Sequence, residues 1–238
     1  FLDRPVIDLW TKEFARALLG KYPALTFRRN EFKALLTVDS DQPFAYLGKN
    51  LIRSFGGLVH DVTAKSGHAG ERYRVVAKGQ KDPYEVYDYI TDKIDAANTD
   101  VRFFFPVGKT SRYDKNPSWK SNEYRDLIRN LGGKYKTGLH PSYYASDDYS
   151  LLESEVDRLR MILGRDITSG RYNFIRLFTP GSYSRLLKAG ITEDYSMGYP
   201  DEPGFRAGIA RPYMFYNVSE EQPTGLKIIP FQVMDGTL

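Results

Sequence analysis

Ala34–Tyr46 reads ALLTVDSDQPFAY: an apolar run, two aspartates separated by one residue, and a proline. The part Phe32–Val38 (FKALLTV) is short, apolar and bounded by charge on one side and by the DSDQP turn on the other, which predicts a buried strand. Asp39 and Asp41 then stand at the strand's carboxyl end. Two carboxylates that close repel each other unless a cation, a shared proton or placed donors offset the repulsion. Alternate residues of an extended segment point the same way, so the pair either faces something positive together or caps a turn.

Outward from this stretch the chain alternates. Val6–Leu19 places Ile7, Trp10, Phe14 and Leu18 at helical spacing before Gly20, which predicts a lead-in helix packed on the main domain. Asn50–Val59 resembles a helix interrupted by Gly56 and Gly57, and the polar residues from there to Gln80 read as a loop or an excursion. Asp82–Ala97 is a predicted helix with Asp82 as cap and Pro83 just inside it. Val101–Val107 (VRFFFPV) is the second strand. A helix over Asn122–Leu131 stops at Gly132 and Gly133, Lys136–His140 is a strand, and Ser150–Leu163 is a helix ended by Gly164. A helix near Tyr183–Ala189, a short strand around Asp194 and a last strand Leu226–Val233 complete the series. Such alternation implies a mainly parallel sheet, open or closed into a barrel, with its ligand site at the carboxyl ends of the strands. Asp39, Asp41, His140, Arg171, Asp194 and Gln232 all fall at or near such ends and are expected to converge on one cleft.

Composition narrows the partners. The 34 basic and 30 acidic residues are scattered, with FRRNEFK at Phe27–Lys33 the densest basic run, so no nucleic-acid footprint is expected. No window is apolar enough to span a membrane, and the opening FLDRPVIDLW lacks the regions of a signal peptide. With no cysteine, any metal must be held by Asp, Glu, His or water. The 18 tyrosines supply rings that pack while offering a hydroxyl to a polar ligand. The first residue is Phe, which leads to the expectation of a trimmed chain or a C-terminal domain.

Asp39, Asp41 and His140 together make a candidate metal site: a carboxylate and an imidazole are ligands for a zinc-like ion, and the second carboxylate is a general base for its water. The alternative from the residues alone is a capped turn beside a hydrogen-bonded histidine. His60 reads as a packing or surface histidine, His68 as a solvated loop residue, and Asp201 and Glu202 as a solvated turn.

The runs TVDSD (Thr37–Asp41), GLHPSY (Gly138–Tyr143), SGRYNF (Ser169–Phe174), DYSMGYPDEPGFRAG (Asp194–Gly208) and PFQVMDGTL (Pro230–Leu238), in that order, resemble the polysaccharide deacetylase family. This is the group with the NodB homology domain, of carbohydrate esterase type, and the likeness is to a divergent bacterial branch linked to surface-polysaccharide synthesis. The resemblance implies a distorted (β/α) barrel of about seven parallel strands over residues 31–238, with residues 1–30 as lead-in helix. It implies a metal-dependent hydrolase that removes acetyl groups from N-acetylated sugars or polysaccharide precursors, with a divalent, zinc-like ion (Zn, Co or Ni). Longer members of the branch carry another domain first, and a cytoplasmic bacterial protein is expected.

Carried over residue by residue, Asp39 is the base, Asp41 and His140 bind metal, Arg171 orients the base, and Asp194 tunes both. Tyr143, Tyr144, Arg206, Gln232 and Asp235 are the expected substrate-binding groups. Two departures bear on activity. Tyr144 stands where the second ligand histidine should be, and IIPFQVMD offers only Gln232 or Asp235 where the family has a histidine acting as general acid. Two further readings therefore accompany the enzyme: a barrel that binds carbohydrate without catalysis, and an accessory domain in polysaccharide assembly. Nuclease or glycosidase chemistry is a minor alternative, the latter needing two carboxyls about 5 to 9 Å apart.

Overall fold

The alternation of strand and helix is carried through the chain of this computed structural model, which describes residues 2–27, 31–48 and 68–238. The chain divides into two compact units, one of residues 35–167 and one of residues 1–34 with 168–238. Seven strands occur among the described residues, and of the strand pairs within the units only the last is antiparallel. The expected mainly parallel α/β class is thereby met.

In the unit of residues 35–167, β1 (Leu35–Asp39), β2 (Asp100–Phe105) and β3 (Lys136–Leu139) pair in parallel, with Asp39 level with Phe104 and Phe105 level with Leu139. Their helices are α2 (His68–Lys78), α3 (Tyr87–Ala97), α4 (Asn122–Lys134) and α5 (Tyr149–Leu163). Phe103, Phe104 and Phe105 are all fully buried, so β2 is covered on both faces, as a central parallel strand must be. Phe103 packs on Tyr87 and Tyr135, and Phe105 meets the edge of Tyr124. Two registers are handed on by the loops: Ser40 N–H donates to the Phe104 carbonyl and His140 N–H to the Phe105 carbonyl. These bonds fix the residues that follow β1 and β3 against β2.

In the other unit, β4 (Ser169–Gly170) pairs with β5 (Glu193–Asp194), and β5 with β7 (Gln222–Ile228), both in parallel. The unit also contains α1 (Val6–Lys21) and α6 (Gly181–Lys188). A strand the sequence reading missed, β6 (Tyr213–Asn217), runs antiparallel to β7. The connection between them is only four residues long and carries Glu221 at a positive φ, so a hairpin is the available geometry.

Several boundaries differ from expectation for identifiable reasons. β1 starts at Leu35 and Phe32 is almost wholly exposed, since charged Glu31 and Lys33 flank it. α4 runs through Gly132 and Gly133 to Lys134; a Cβ at position 132 would stand 2.4 Å from a Leu163 methyl, so this glycine permits close approach of α5 and is not a stop. The polar run ending near Gln80 includes helix α2, where Val75 is buried, Tyr46 donates its hydroxyl to Glu71 and Arg72 lies over the Tyr46 ring. His68 is its first residue and lies on a helix, not in a loop. α1 forms as expected, but Trp10 and Phe14 are exposed; it is held through Asp8, which accepts from Ala210 N–H and pairs with Arg211, and through Ile7 beside Gly208. The readings of His60 and of a helix over residues 50–59 lie outside the described residues.

Asp82 is the largest surprise. It does not cap a helix at Pro83, because α3 begins at Tyr87. Its buried carboxylate accepts N–H bonds from Ala45 (2.7 Å), Tyr46 (2.8 Å), Leu47 (3.2 Å) and Tyr84 (3.0 Å), closing the loop that follows β1. Each stranded buried N–H costs about 1 to 3 kcal/mol. Asp82→Ala is expected to lower stability by about 3 kcal/mol or more and Asp82→Asn by less, read from the urea unfolding midpoint.

Candidate active site

The ends of β1 and β3 bring together the first half of the expected site. His140 leaves β3 buried, and its Nε2 stands 3.2 Å from Asp41 Oδ1; the imidazole is 3% exposed and the carboxylate 54%. That distance suits a hydrogen bond. It also suits two ligands on one ion, since bonds of about 2.0 to 2.1 Å at the tetrahedral angle put ligand atoms about 3.3 Å apart. Asp39 is half-buried at the last position of β1, with its Oδ1 sealed from solvent. Tyr87 and Tyr124 are buried near enough to feel the Asp41 charge. Burial raises the Tyr87 hydroxyl, with the Asp41 charge adding to the rise and Ser40 opposing it; burial and the same charge raise Tyr124, whose hydroxyl donates to the Pro106 carbonyl.

The segment His140-Pro141-Ser142-Tyr143 is clamped from behind by two buried acids. Glu155, on α5, accepts the Ser142 N–H (2.9 Å) and hydroxyl (2.5 Å), and Asp114 accepts the Tyr143 N–H (2.9 Å) and the Ser111 hydroxyl (2.6 Å). Burial pushes Glu155 up to about 7, with Asp114 adding to the rise and Ser142 and Arg158 opposing it. Gly108 is obligatory beside this clamp: a Cβ there would meet Glu155 Oε1 at 2.5 Å and Ser142 Cβ at 2.8 Å. Sequence reasoning overlooked Glu155, although it lies with Leu152, Val156 and Leu159 on the apolar stripe of α5, where a carboxylate is a warning of a buried polar role. Tyr143 stacks on Tyr113, and Tyr144, where the resemblance expects a histidine, stands half-exposed against both rings.

The other unit holds the second group of expected residues. Arg171 follows β4, is buried, and lays its guanidinium 4.6 Å from the Phe231 ring centre. Asp194, fully buried at the end of β5, accepts the Ser196 hydroxyl (2.7 Å) and N–H (3.0 Å), and Ser196 Oγ in turn accepts Tyr172 N–H. Burial pushes Asp194 up to about 6 against the pull of those bonds and of the Arg171 charge. Tyr183 and Tyr213 face the same carboxylate: burial and the Asp194 charge raise both, Tyr213 to about 12. Phe231 fits only because position 198 is glycine, where a Cβ would stand 2.3 Å from the ring. Beyond Arg171, Phe174 and Ile175 both take positive φ, a costly backbone for a β-branched residue.

The remaining expected groups are committed to the backbone. Arg206 donates to the Gly198 carbonyl, and Gln232 donates its amide to the Pro230 carbonyl and lies beyond β7. Asp235 is exposed and accepts Gly236 N–H at the start of a terminal turn. Neither Gln232 nor Asp235 is placed as a proton donor by its own contacts. Among the described residues no group of three or more His, Asp or Glu side chains is gathered closely enough to hold a metal ion. Asp41 and His140 therefore fit as a pair of ligands and not as a full set.

No protein-family model and no curated protein matches the sequence. Solved structures do. A candidate polysaccharide deacetylase from Mycobacterium smegmatis aligns over 87% of this chain and 62% of its own, with TM-score 0.51 and 12% identity. The chain has the polysaccharide deacetylase fold. It spans less than two thirds of that neighbour. Weaker likenesses include IcaB from Ammonifex degensii (TM-score 0.38, 15% identity, 69% of this chain and 84% of that one) and a polysaccharide deacetylase from Bacillus cereus (TM-score 0.35, 13% identity, 61% and 71%). No helix among the described residues of this deacetylase-fold chain is long and apolar enough to cross a membrane.

Glu155 and Asp194 bind a proton more tightly in the folded chain than unfolded. The native state thus holds extra protons between about pH 4 and about pH 7, and stability falls as pH rises through that window, by at most about 1.4 kcal/mol per pH unit for each group. Glu155→Gln and Asp194→Asn are expected to flatten the decline relative to the parent chain in urea midpoints measured across pH. Parallel pH curves for parent and variants would contradict the assignment.

Proposed function

We propose that the chain is a hydrolase of deacetylase type, acting on acetyl groups of N-acetylated sugars or of surface-polysaccharide precursors with the help of a divalent, zinc-like ion. The observation that carries the reading is the pairing of Asp41 with buried His140, beside Asp39, at the carboxyl ends of parallel strands in this fold. Asp41 and His140 would be the protein's ligands; the ion, when bound, supplies Lewis acidity that polarises a carbonyl and acidifies water. Asp39 takes the proton of the attacking water as its oxygen adds to the acetyl carbon. The same carboxyl then returns that proton to the amide nitrogen as the C–N bond breaks, leaving acetate and an amino sugar. This cycle needs no second histidine as acid. Arg171 and Asp194 enter the proposal as a buried charge pair whose share in turnover is read from their own variants.

A second reading, a carbohydrate-binding domain without catalysis, is favoured by one observation: at the position where the resemblance expects a ligand histidine, Tyr144 presents a half-exposed ring. Acetate release from acetylated oligosaccharides, with zinc, cobalt or nickel supplied in turn, separates the two. The parent chain is expected to release acetate, a chelator to stop it, and Asp39→Asn to lower the rate by about 100-fold or more while sugar binding persists. Binding without acetate under every ion would leave the second reading in place.

A further inference from the structure

The loop from β2 to α4 reads VGKTSRYDKNPSWKS over Val107–Ser121. It contains four cations, Lys109, Arg112, Lys115 and Lys120, against a single acid, Asp114. The four cations are exposed while Asp114 is buried and spent on Tyr143 and Ser111. Over the whole chain basic and acidic residues nearly balance, so this excess is local. Among the described residues none of the four cations stands in an ion pair. Lys115 donates to the Ser111 carbonyl, and Lys120 lies 5.5 Å from the Trp119 ring centre.

The same loop presents rings. Tyr113 and Tyr143 are stacked with centroids 3.9 Å apart at 20°, Tyr144 meets them edge-on at 6.0 and 5.3 Å, and Arg112 lies 5.8 Å from the centre of Tyr113. Tyr113 is 37% and Tyr144 47% exposed. The cluster is held in place before any ligand arrives. Asp114 ties Tyr143 to the loop, Glu155 holds Ser142, and the Asn116 amide donates to the carbonyls of Gly108 and Pro117. Rigid rings with hydroxyl edges suit the C–H face and hydroxyl groups of a pyranose, and a site already ordered loses little entropy on binding. Tyr143 follows His140 by three residues, so the rings and the imidazole sit on one braced segment.

We infer that Tyr113, Tyr143 and Tyr144 with the cations of the β2–α4 loop form a subsite for a negatively charged glycan, in which a sugar ring stacks on the tyrosines while Lys109 and Arg112 meet carboxylate or phosphate groups on its neighbours. This deepens the deacetylase reading and rests on it for the choice of a glycan. It adds Tyr113 and the charge of the substrate. A single-stranded nucleic acid also pairs cations with rings, but two of these rings are stacked on each other, which leaves one short platform and not the series of separate faces that successive bases occupy.

Titration calorimetry of the full chain with hyaluronan hexasaccharide, chitohexaose and hexathymidylate tests the inference. The first two both carry N-acetylglucosamine and differ in carboxylates. Hyaluronan hexasaccharide is expected to bind about tenfold tighter than chitohexaose at low salt, with the preference lost at high salt and in the double variant Lys109→Ala, Arg112→Ala. Tyr113→Ala is expected to weaken both sugars by about tenfold and Tyr113→Phe to restore most of the loss, which separates stacking from misfolding. Equal affinity for the two sugars, tighter chitohexaose, tighter hexathymidylate, or binding of none of the three would overturn it. Charge-selective binding without any acetate release would keep the subsite and remove the hydrolase; acetate release with no charge preference would do the reverse.

Discussion

Buried carboxylates that accept backbone N–H groups organise the loops that follow β1, β3 and β5. Asp82 gathers Ala45, Tyr46 and Leu47 after β1, Glu155 and Asp114 take Ser142 and Tyr143 after β3, and Asp194 takes Ser196 after β5. All four are at most 2% exposed, and in this chain each is compensated mainly by hydrogen-bond donors. The strands alone would leave their carboxyl-end loops free to take many shapes. The acids select one shape for each, so side chains such as Asp41 and His140 are presented in a fixed geometry. The cost is visible in Glu155 and Asp194, whose raised pKa values record incomplete compensation for burial.

The deacetylase chemistry proposed for this fold is economical. One carboxylate moves the proton, a carboxylate and an imidazole hold an ion, and tyrosines hold the sugar. Where the resemblance expects a second ligand histidine the chain carries Tyr144, a half-exposed ring packed on Tyr113 and Tyr143. In the proposed reading such a site leans on substrate contacts, and the inferred role of the β2–α4 cations is to add a charge preference to them.

Much of the fold was legible because its strands are short apolar runs and its best-formed helices carry their own punctuation. FKALLTV, VRFFFPV and KTGLH each contain a strand, and Asp148, Leu163 and Gly164 delimit α5 by a side-chain cap at one end and a left-handed glycine at the other. What escaped depends on partners distant in sequence. Asp82 looked like a cap for the residues beside it, yet three of its four donors lie 35 to 37 positions earlier. Helix α2 lacks a clean apolar stripe and is secured by Tyr46. Gly132 and Gly133 looked like a stop, but at Gly132 the missing Cβ serves the fit of α5. Of the site residues, Asp41 and His140 were legible as a pair because each follows a readable strand; Tyr113 and Glu155 were not singled out, since each matters through the His140–Tyr143 segment.

The central claim is that Asp41 and His140 act as one ion-binding pair. The chain has only three histidines, so nitrogen-15 correlation spectra of the imidazole rings report on each separately. Titration with zinc is predicted to shift the His140 ring signals in the parent chain and to leave them largely unmoved in Asp41→Ala. Zinc that moves only His60 or His68, or that shifts His140 equally with and without the Asp41 carboxylate, would contradict it.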